Sequence, residues 1–282
     1  MALIGTLNSG VSALRTFGQG LEVIGNNIAN INTSGYKGSQ ASYTENFVSN
    51  LKGVLPSNGS QVGTGVRLAN VGTNFAQGSL SSTGVATDVG ISGAGFFVVK
   101  DSSSGVNYAT RDGSLRVDAD GYLTNQAGLR VQGLTGGTSS AAPATVGDIK
   151  IGATPPTGAS LQSFTIDRSG NISEVYSNGA AVTTNRVQLQ NFTETSALSR
   201  EGNNVFGNLA AAGPLGGGIL KGSNNPGSDG LGSLQAGALE SSNVDLTAQF
   251  SELITTQRSF QAGSRLITIS DSVLEDVVNL KR

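Results

Sequence analysis

The chain has 282 residues, with 17 lysines and arginines against 19 aspartates and glutamates, a formal net charge of −2 and only 13% charged residues. It has no cysteine and no histidine, which excludes disulfides, thiol catalysis and histidine-based acid–base or metal sites. There is no basic patch, and no apolar run approaches the roughly 20 residues of a bilayer-spanning helix, so neither a nucleic-acid partner nor membrane insertion is expected.

Glycine supplies 41 residues, about twice the usual share. Serine, threonine, asparagine and glutamine replace much of the usual lysine and glutamate. A neighbour can cover such a surface at low desolvation cost, because few charges lose water. The opening does not read as a cleavable secretory signal: Arg15 follows the first apolar positions, which Gly5, Asn8, Ser9 and Gly10 interrupt. An export route that removes nothing is expected.

From residue 3 to 31 the apolar positions follow a heptad. Leu7, Leu14, Leu21 and Ile28 recur every seven residues, and Leu3, Phe17, Ile24 and Ile31 fill the complementary positions. This spacing predicts a helix with one apolar stripe that needs a partner helix. Arg15 and Glu22 are its only charged side chains, so little of its surface calls for water. Its five glycines each cost about 1 kcal/mol of helix propensity against alanine. Such a helix needs several neighbours, some of them from other copies of the chain.

Residues 32–72 read as an extended connector with short strands. Thr33-Ser34-Gly35 is expected to stop the helix through a left-handed glycine, and Pro56, Gly59, Gly63 and Gly65 punctuate the polar segment after it. Residues 73–239 read as all-β. Ile91–Lys100 is an apolar strand with a glycine-loosened start, and Asp112-Gly113, Asp120-Gly121 and Asn178-Gly179 mark tight hairpins. Residues 134–161 and 207–230, rich in Gly, Ser, Ala and Pro, are expected as surface loops.

From residue 240 the chain turns helical again. Ser241, Ser242 and Asn243 are the N-cap candidates, with Asp245 in the first turn. Leu246, Leu253, Phe260, Ile267 and Leu274 repeat every seven residues, with Phe250 and Val278 on a second seam. The expected fold is therefore α+β: N- and C-terminal helices (1–31 and 240–282) paired in a coiled-coil bundle, an extended connector (32–72) and a central all-β domain (73–239). The seams could close one domain within a single chain; the charge-poor N-terminal helix favours a bundle shared between chains.

No catalytic residue, cofactor or metal is expected. Gly90-Ile-Ser-Gly93-Ala-Gly95 precedes a strand instead of opening a helix, so it reads as turn glycines, not as a phosphate loop. Asp118-Ala-Asp120-Gly121 lacks the terminal bidentate glutamate of a calcium loop. Without tryptophan, a sugar-stacking platform is poorly supplied.

Asn26-Asn27-Ile28-Ala29-Asn30-Ile-Asn32-Thr33-Ser-Gly35-Tyr36-Lys37 resembles the N-terminal signature of the bacterial flagellar rod and hook axial proteins. Gly237 to Leu246, then Gln257-Arg258-Ser-Phe260-Gln261-Ala262, is similar to that family's C-terminal signature, and Val66–Leu80, Gly95–Val99 and Arg111–Leu115 with Asp120–Leu123 to its β-core. The opening, the block from Phe164 to Phe206 and the ending Val277–Arg282 look most like a short hook protein; a distal rod protein is the alternative. The resemblance implies a self-assembling tube, with terminal helices lining a channel and the β-domain outside. It implies uncleaved export through the flagellar export apparatus, adjoining rod and hook–filament junction proteins as neighbours, and a hook cap during assembly. Self-assembly would then rest on Leu7, Leu14, Leu21, Ile24 and Ile28, on Asn30 and Gly35 of the signature, and on Leu246, Phe250, Leu253, Phe260, Ile267 and Leu274. A secreted β-rich adhesin or carbohydrate-binding module is the remaining alternative, although nothing in that class requires heptads at both ends.

Overall fold

The computed structural model describes residues 2–50, 61–136, 145–153, 155–220 and 224–280. Pro56 and Gly59 of the connector, part of the 134–161 and 207–230 loops and the Leu3 side chain lie outside the described residues. The chain divides into two compact units: residues 1–31, 38–74 and 244–282 form one, residues 32–37 and 75–243 the other.

The first unit holds two long helices, α1 (Ala2–Ala29) and α2 (Leu246–Asn279), and an antiparallel ribbon of Ser39–Glu45 with Val66–Thr73. A short pairing of Val48–Asn50 with Gln61–Gly63 extends the ribbon. Asp245 is itself the N-cap of α2, in place of the serines and asparagine before it. Its Oδ1 accepts from the Thr247 amide at 2.8 Å and the Ala248 amide at 3.2 Å, satisfying two donors that would otherwise be orphaned.

The two helices run antiparallel, because contacts climb α1 as they descend α2. Thr6 Oγ1 meets Ser270 Oγ at 3.2 Å, Gly10 sits against Ile267 and Gly263, and Asn27 Nδ2 donates to Gln249 Oε1 at 3.0 Å. The α2 residues buried here are Thr256, Gly263 and Ser270, seven apart and all small. They permit close approach: a Cβ on Gly10 would already stand 3.0 Å from Ile267 Cγ1.

The ribbon is tied to α1 by polar side chains. Thr16 Oγ1 donates to the Val66 carbonyl at 3.1 Å. Asn27, 2% exposed, acts as a one-residue strand: its Nδ2 donates to the Ser39 carbonyl at 2.7 Å and its Oδ1 accepts from the Ser39 amide at 2.8 Å. An isolated two-stranded ribbon is marginal in water, so these bonds, the Val66 amide donating to Ser12 Oγ at 3.3 Å and the edge-on Phe17–Tyr43 ring pair at 5.8 Å help to hold it.

The second unit is built on a twelve-stranded sheet among the described residues. Its main path runs Leu161–Ile166, Asn171–Tyr176, Ala181–Val187, Arg130–Thr135, Phe96–Lys100, Asn107–Thr110, Val205–Gly207 and Ser199–Gly202, all antiparallel. The apolar run Phe96–Lys100 lies between two cores, which explains its lack of polar alternation. Phe97 and Val99 join Leu123, Val131, Ile149, Ile172 and Leu189 on one side; Phe96 joins Phe192 and Phe206 on the other.

The expected strand Ile91–Lys100 is divided. Val89–Ser92 pairs with Ser233–Ala236, and Phe96–Lys100 pairs elsewhere, with the positive φ of Gly93 (112°) and Gly95 (124°) making the break. Asn178-Gly179 and Asp120-Gly121 are hairpin turns, each with a positive-φ glycine. Asp112-Gly113 is not. Gly113 has no positive φ, and it is required because a Cβ there would fall on the Val89 carbonyl.

Inward alternation along Asn171–Tyr176 buries Ile172, Glu174 and Tyr176. The Glu174 carboxylate is satisfied there by the Gly152 amide at 3.0 Å and the Tyr176 hydroxyl at 2.5 Å. Burial first, and then the adjoining carboxylate, push the Tyr176 phenol up to about 12.

Asn27→Ala, which orphans both Ser39 backbone groups, should destabilise the first unit by about 1–3 kcal/mol, read as lost amide-exchange protection in Ser39–Glu45. Tyr176→Phe should leave a buried carboxylate oxygen without its donor and cost about 1–3 kcal/mol in urea unfolding at neutral pH. The raised phenol keeps its proton in the folded state while the unfolded chain loses its own near pH 10. Wild-type stability should therefore fall between about pH 10 and 12, and the variant should show a smaller fall, the Tyr43 phenol being raised by burial as well.

Candidate assembly surface

α2 carries more apolar surface than α1 covers. Leu253, Ile267 and Leu274 are half-buried, whereas Leu246, Phe250 and Phe260 are exposed, Phe250 at 47%. Ile254, Leu266, Ile269, Val273 and Val277 are exposed as well. Small residues occupy the face turned to α1, so the large heptad side chains flank that contact or point away from it. Apolar exposure on this scale marks an interaction surface. On α1, Leu7, Leu14, Leu21 and Ile28 are half-buried and Ile24 is fully buried. Asn30 closes the helix end, with Nδ2 donating to the Asn26 carbonyl at 2.9 Å and its Oδ1 at 2.8 Å.

Gly35 does something other than stop α1, which ends at Ala29. Its φ of +66° lets residues 32–37 press into the second unit, where a Cβ would stand 2.5 Å from the Asp112 amide nitrogen. The Gly35 amide donates to the Glu240 carbonyl at 2.7 Å. Ser34 Oγ donates to Asp112 Oδ1 at 2.9 Å, and Asn204 Nδ2 to the Ser34 carbonyl at 2.9 Å. Arg200 stacks over Tyr36 and donates to the Lys37 carbonyl.

At the end of this strap is a buried ion cluster that sequence reasoning missed. Lys37, 1% exposed, donates from Nζ to Glu240 Oε1 at 2.6 Å and to the Ala76 carbonyl at 2.8 Å. The Gly78 amide donates to the same carboxylate oxygen at 2.9 Å, and Arg111 Nη1 reaches Glu240 Oε2 at 3.3 Å. Burial pulls both Lys37 and Arg111 below their ordinary values, and Glu240 only partly offsets it. Lys37 and Glu240 both lie inside the terminal signatures of the sequence. Separated by 203 positions, they are joined by no local periodicity.

Among the described residues, no group of acidic side chains is placed to hold a metal, and no helix is long and apolar enough to cross a membrane.

Three family models match the chain: "Flagella basal body rod protein" over residues 7–37, "Flagellar hook protein FlgE/F/G D1 domain" over 90–174 and "Flagellar basal body rod FlgEFG protein C-terminal" over 235–280. The first and last of these segments contain the two partners of the Lys37–Glu240 pair. The flagellar basal-body rod protein FlgG of Bacillus subtilis is 35% identical, covering 99% of this chain and 100% of the relative. That of Borreliella burgdorferi is 30% identical, covering 100% and 99%. The flagellar hook protein FlgE of Treponema pallidum is 24% identical, covering 98% and 99%. The class so defined is a structural component of the flagellar axis. The chain belongs to the flagellar rod and hook protein family, whose members are built to assemble with further subunits.

Glu240→Gln removes the one carboxylate that faces two buried cations. It should destabilise the chain by about 3–5 kcal/mol, measured as a lowered urea midpoint, whereas Arg130→Gln, in a part-exposed pair with Asp148, should leave that midpoint close to the wild-type value.

Proposed function

We propose that this chain is a rod subunit: a stiff tubular drive shaft, the distal-rod reading in preference to the hook reading. The observation that carries it is the end-to-end match to the Bacillus subtilis rod protein over 287 aligned positions, against 468 for the Treponema pallidum hook protein. A hook relative of that length contains long segments for which this chain has no counterpart.

In this reading α1 and α2 pair in coiled-coil fashion through the small-residue seam at Gly10, Thr256, Gly263 and Ser270. The exposed Leu246, Phe250 and Phe260, with the half-buried Leu7, Leu14, Leu21, Ile28, Leu253, Ile267 and Leu274, complete their burial against helices of neighbouring copies. Residues 1–31 and 240–282 form the inner tube, 73–239 the outer layer, and 32–72 the connector. Identical head-to-tail contacts that do not close into a ring generate such a filament. Adjoining rod and hook proteins would bind the two ends by the same surfaces.

Electron microscopy of polymer formed by the purified chain tests the proposal. Straight tubes are expected; curved tubes would return the hook reading, and a chain that stays monomeric at high concentration would overturn both. Phe250→Asp combined with Phe260→Asp should abolish polymer while leaving the monomer folded, with a thermal midpoint lowered by several degrees, because the two side chains are 47% and 37% exposed in the single chain.

A further inference from the structure

The buried cluster of the second unit is not neutral. Two cations, Lys37 and Arg111, share one carboxylate, Glu240, and leave one positive charge in excess. Arg111 is 5% exposed, and its Nε has no hydrogen-bond partner. Its guanidinium lies over the Phe96 ring at 4.9 Å, a contact that only partly replaces lost water.

Arg111 lines an open cavity of about 250 Å³. Phe75 and Phe96 supply an aromatic wall, and Gln77, Asn191 and Thr195 a polar rim. Gln77 is committed internally, accepting from the Gly93 amide at 2.9 Å and donating to the Ile91 carbonyl at 3.1 Å. Glu194, next to the rim in sequence, turns instead to the Ser196 amide and hydroxyl at 3.1 and 2.7 Å. No acid of this unit is bonded to Arg111 other than Glu240 among the described residues.

We propose that this cavity is a carboxylate socket, filled in the assembled protein by an aspartate or glutamate side chain of a second copy of the chain. The excess charge calls for an anion, the ring wall accepts the methylene stem of an acidic side chain, and the Arg111 guanidinium, with Nη1 already given to Glu240, is the cation on the cavity wall. The volume admits a side chain but not a helix, which is about 10 Å across. The chain carries acids to spare, 19 against 17 bases. α2 presents Asp271, Glu275 and Asp276 exposed beside Val273 and Val277. The inference rests on the self-assembly reading for the donor, but not for the socket.

Thr195, on the rim, allows the acid to be supplied in cis. Thr195→Glu places a carboxylate in the socket, and Thr195→Gln places the same bulk without charge. Thermal unfolding of the monomer and the critical concentration for polymerisation are measured for both. Thr195→Glu should melt several degrees above Thr195→Gln and need about tenfold more protein to polymerise. Equal or lower melting of the glutamate variant overturns the socket itself. Raised melting with equal polymerisation overturns the second copy as donor. If the unmodified chain forms no polymer, the rod reading fails, and the melting comparison still decides whether the cavity takes an anion.

Discussion

The Glu240 carboxylate is the constraint on which the second unit depends. One acidic side chain at zero side-chain exposure accepts from Lys37, Arg111 and the Gly78 amide, while its own carbonyl accepts from Gly35. These partners come from three separate stretches of chain and Glu240 from a fourth, and the bonds exist only when all four are in register. Such a cluster adds little net stability over an apolar one, because desolvating the ions offsets much of their attraction. What it adds is specificity: with Glu240 out of place, two cations are stranded away from water. The strap from Asn32 to Lys37 is held to a single arrangement in this way, and Gly35 is the residue that lets its backbone reach Asp112.

The first unit solves a different problem. Its helices meet through glycine, serine and threonine, whose small side chains bring backbones close but bury little apolar area. The large side chains of α2 are left over. A monomer with this distribution holds its helices together by shape and a few polar contacts, such as Asn27 with Gln249, and leaves much of the apolar surface of α2 uncovered. Scarcity of charge has the same consequence, since a helix with two charged side chains from residue 3 to 31 loses little when covered.

The two units thus divide the physical work. The β-body carries two closed cores, with Phe96 and Phe97 facing opposite ways from one strand, and needs no neighbour to bury them. The helical unit exposes the surface that assembly requires. A family of subunits of the flagellar axis is served by this division: one part folds on its own contacts, and the other leaves apolar surface open to a neighbour.

The sequence by itself determined the order of parts. Sevenfold spacing of large apolar residues at both ends, with turn dipeptides and strand-like runs between, is a local property, and it specified two terminal helices around a β-rich middle. Local chemistry also marked the turns at Asn178-Gly179 and Asp120-Gly121. Only the tertiary structure decided which helix face meets which. The heptad of large residues drew attention away from the smaller heptad Thr256, Gly263, Ser270, because hydrophobic periodicity registers size and greasiness, not closeness of approach. It likewise decided that Gly113 is needed for a close backbone contact instead of a hairpin, and that Asp245 caps α2. Lys37, Arg111 and Glu240 were each visible in the sequence as charged residues of an ordinary kind. Their meeting in one dry site depends on long-range chain closure, which no pattern of neighbouring residues encodes.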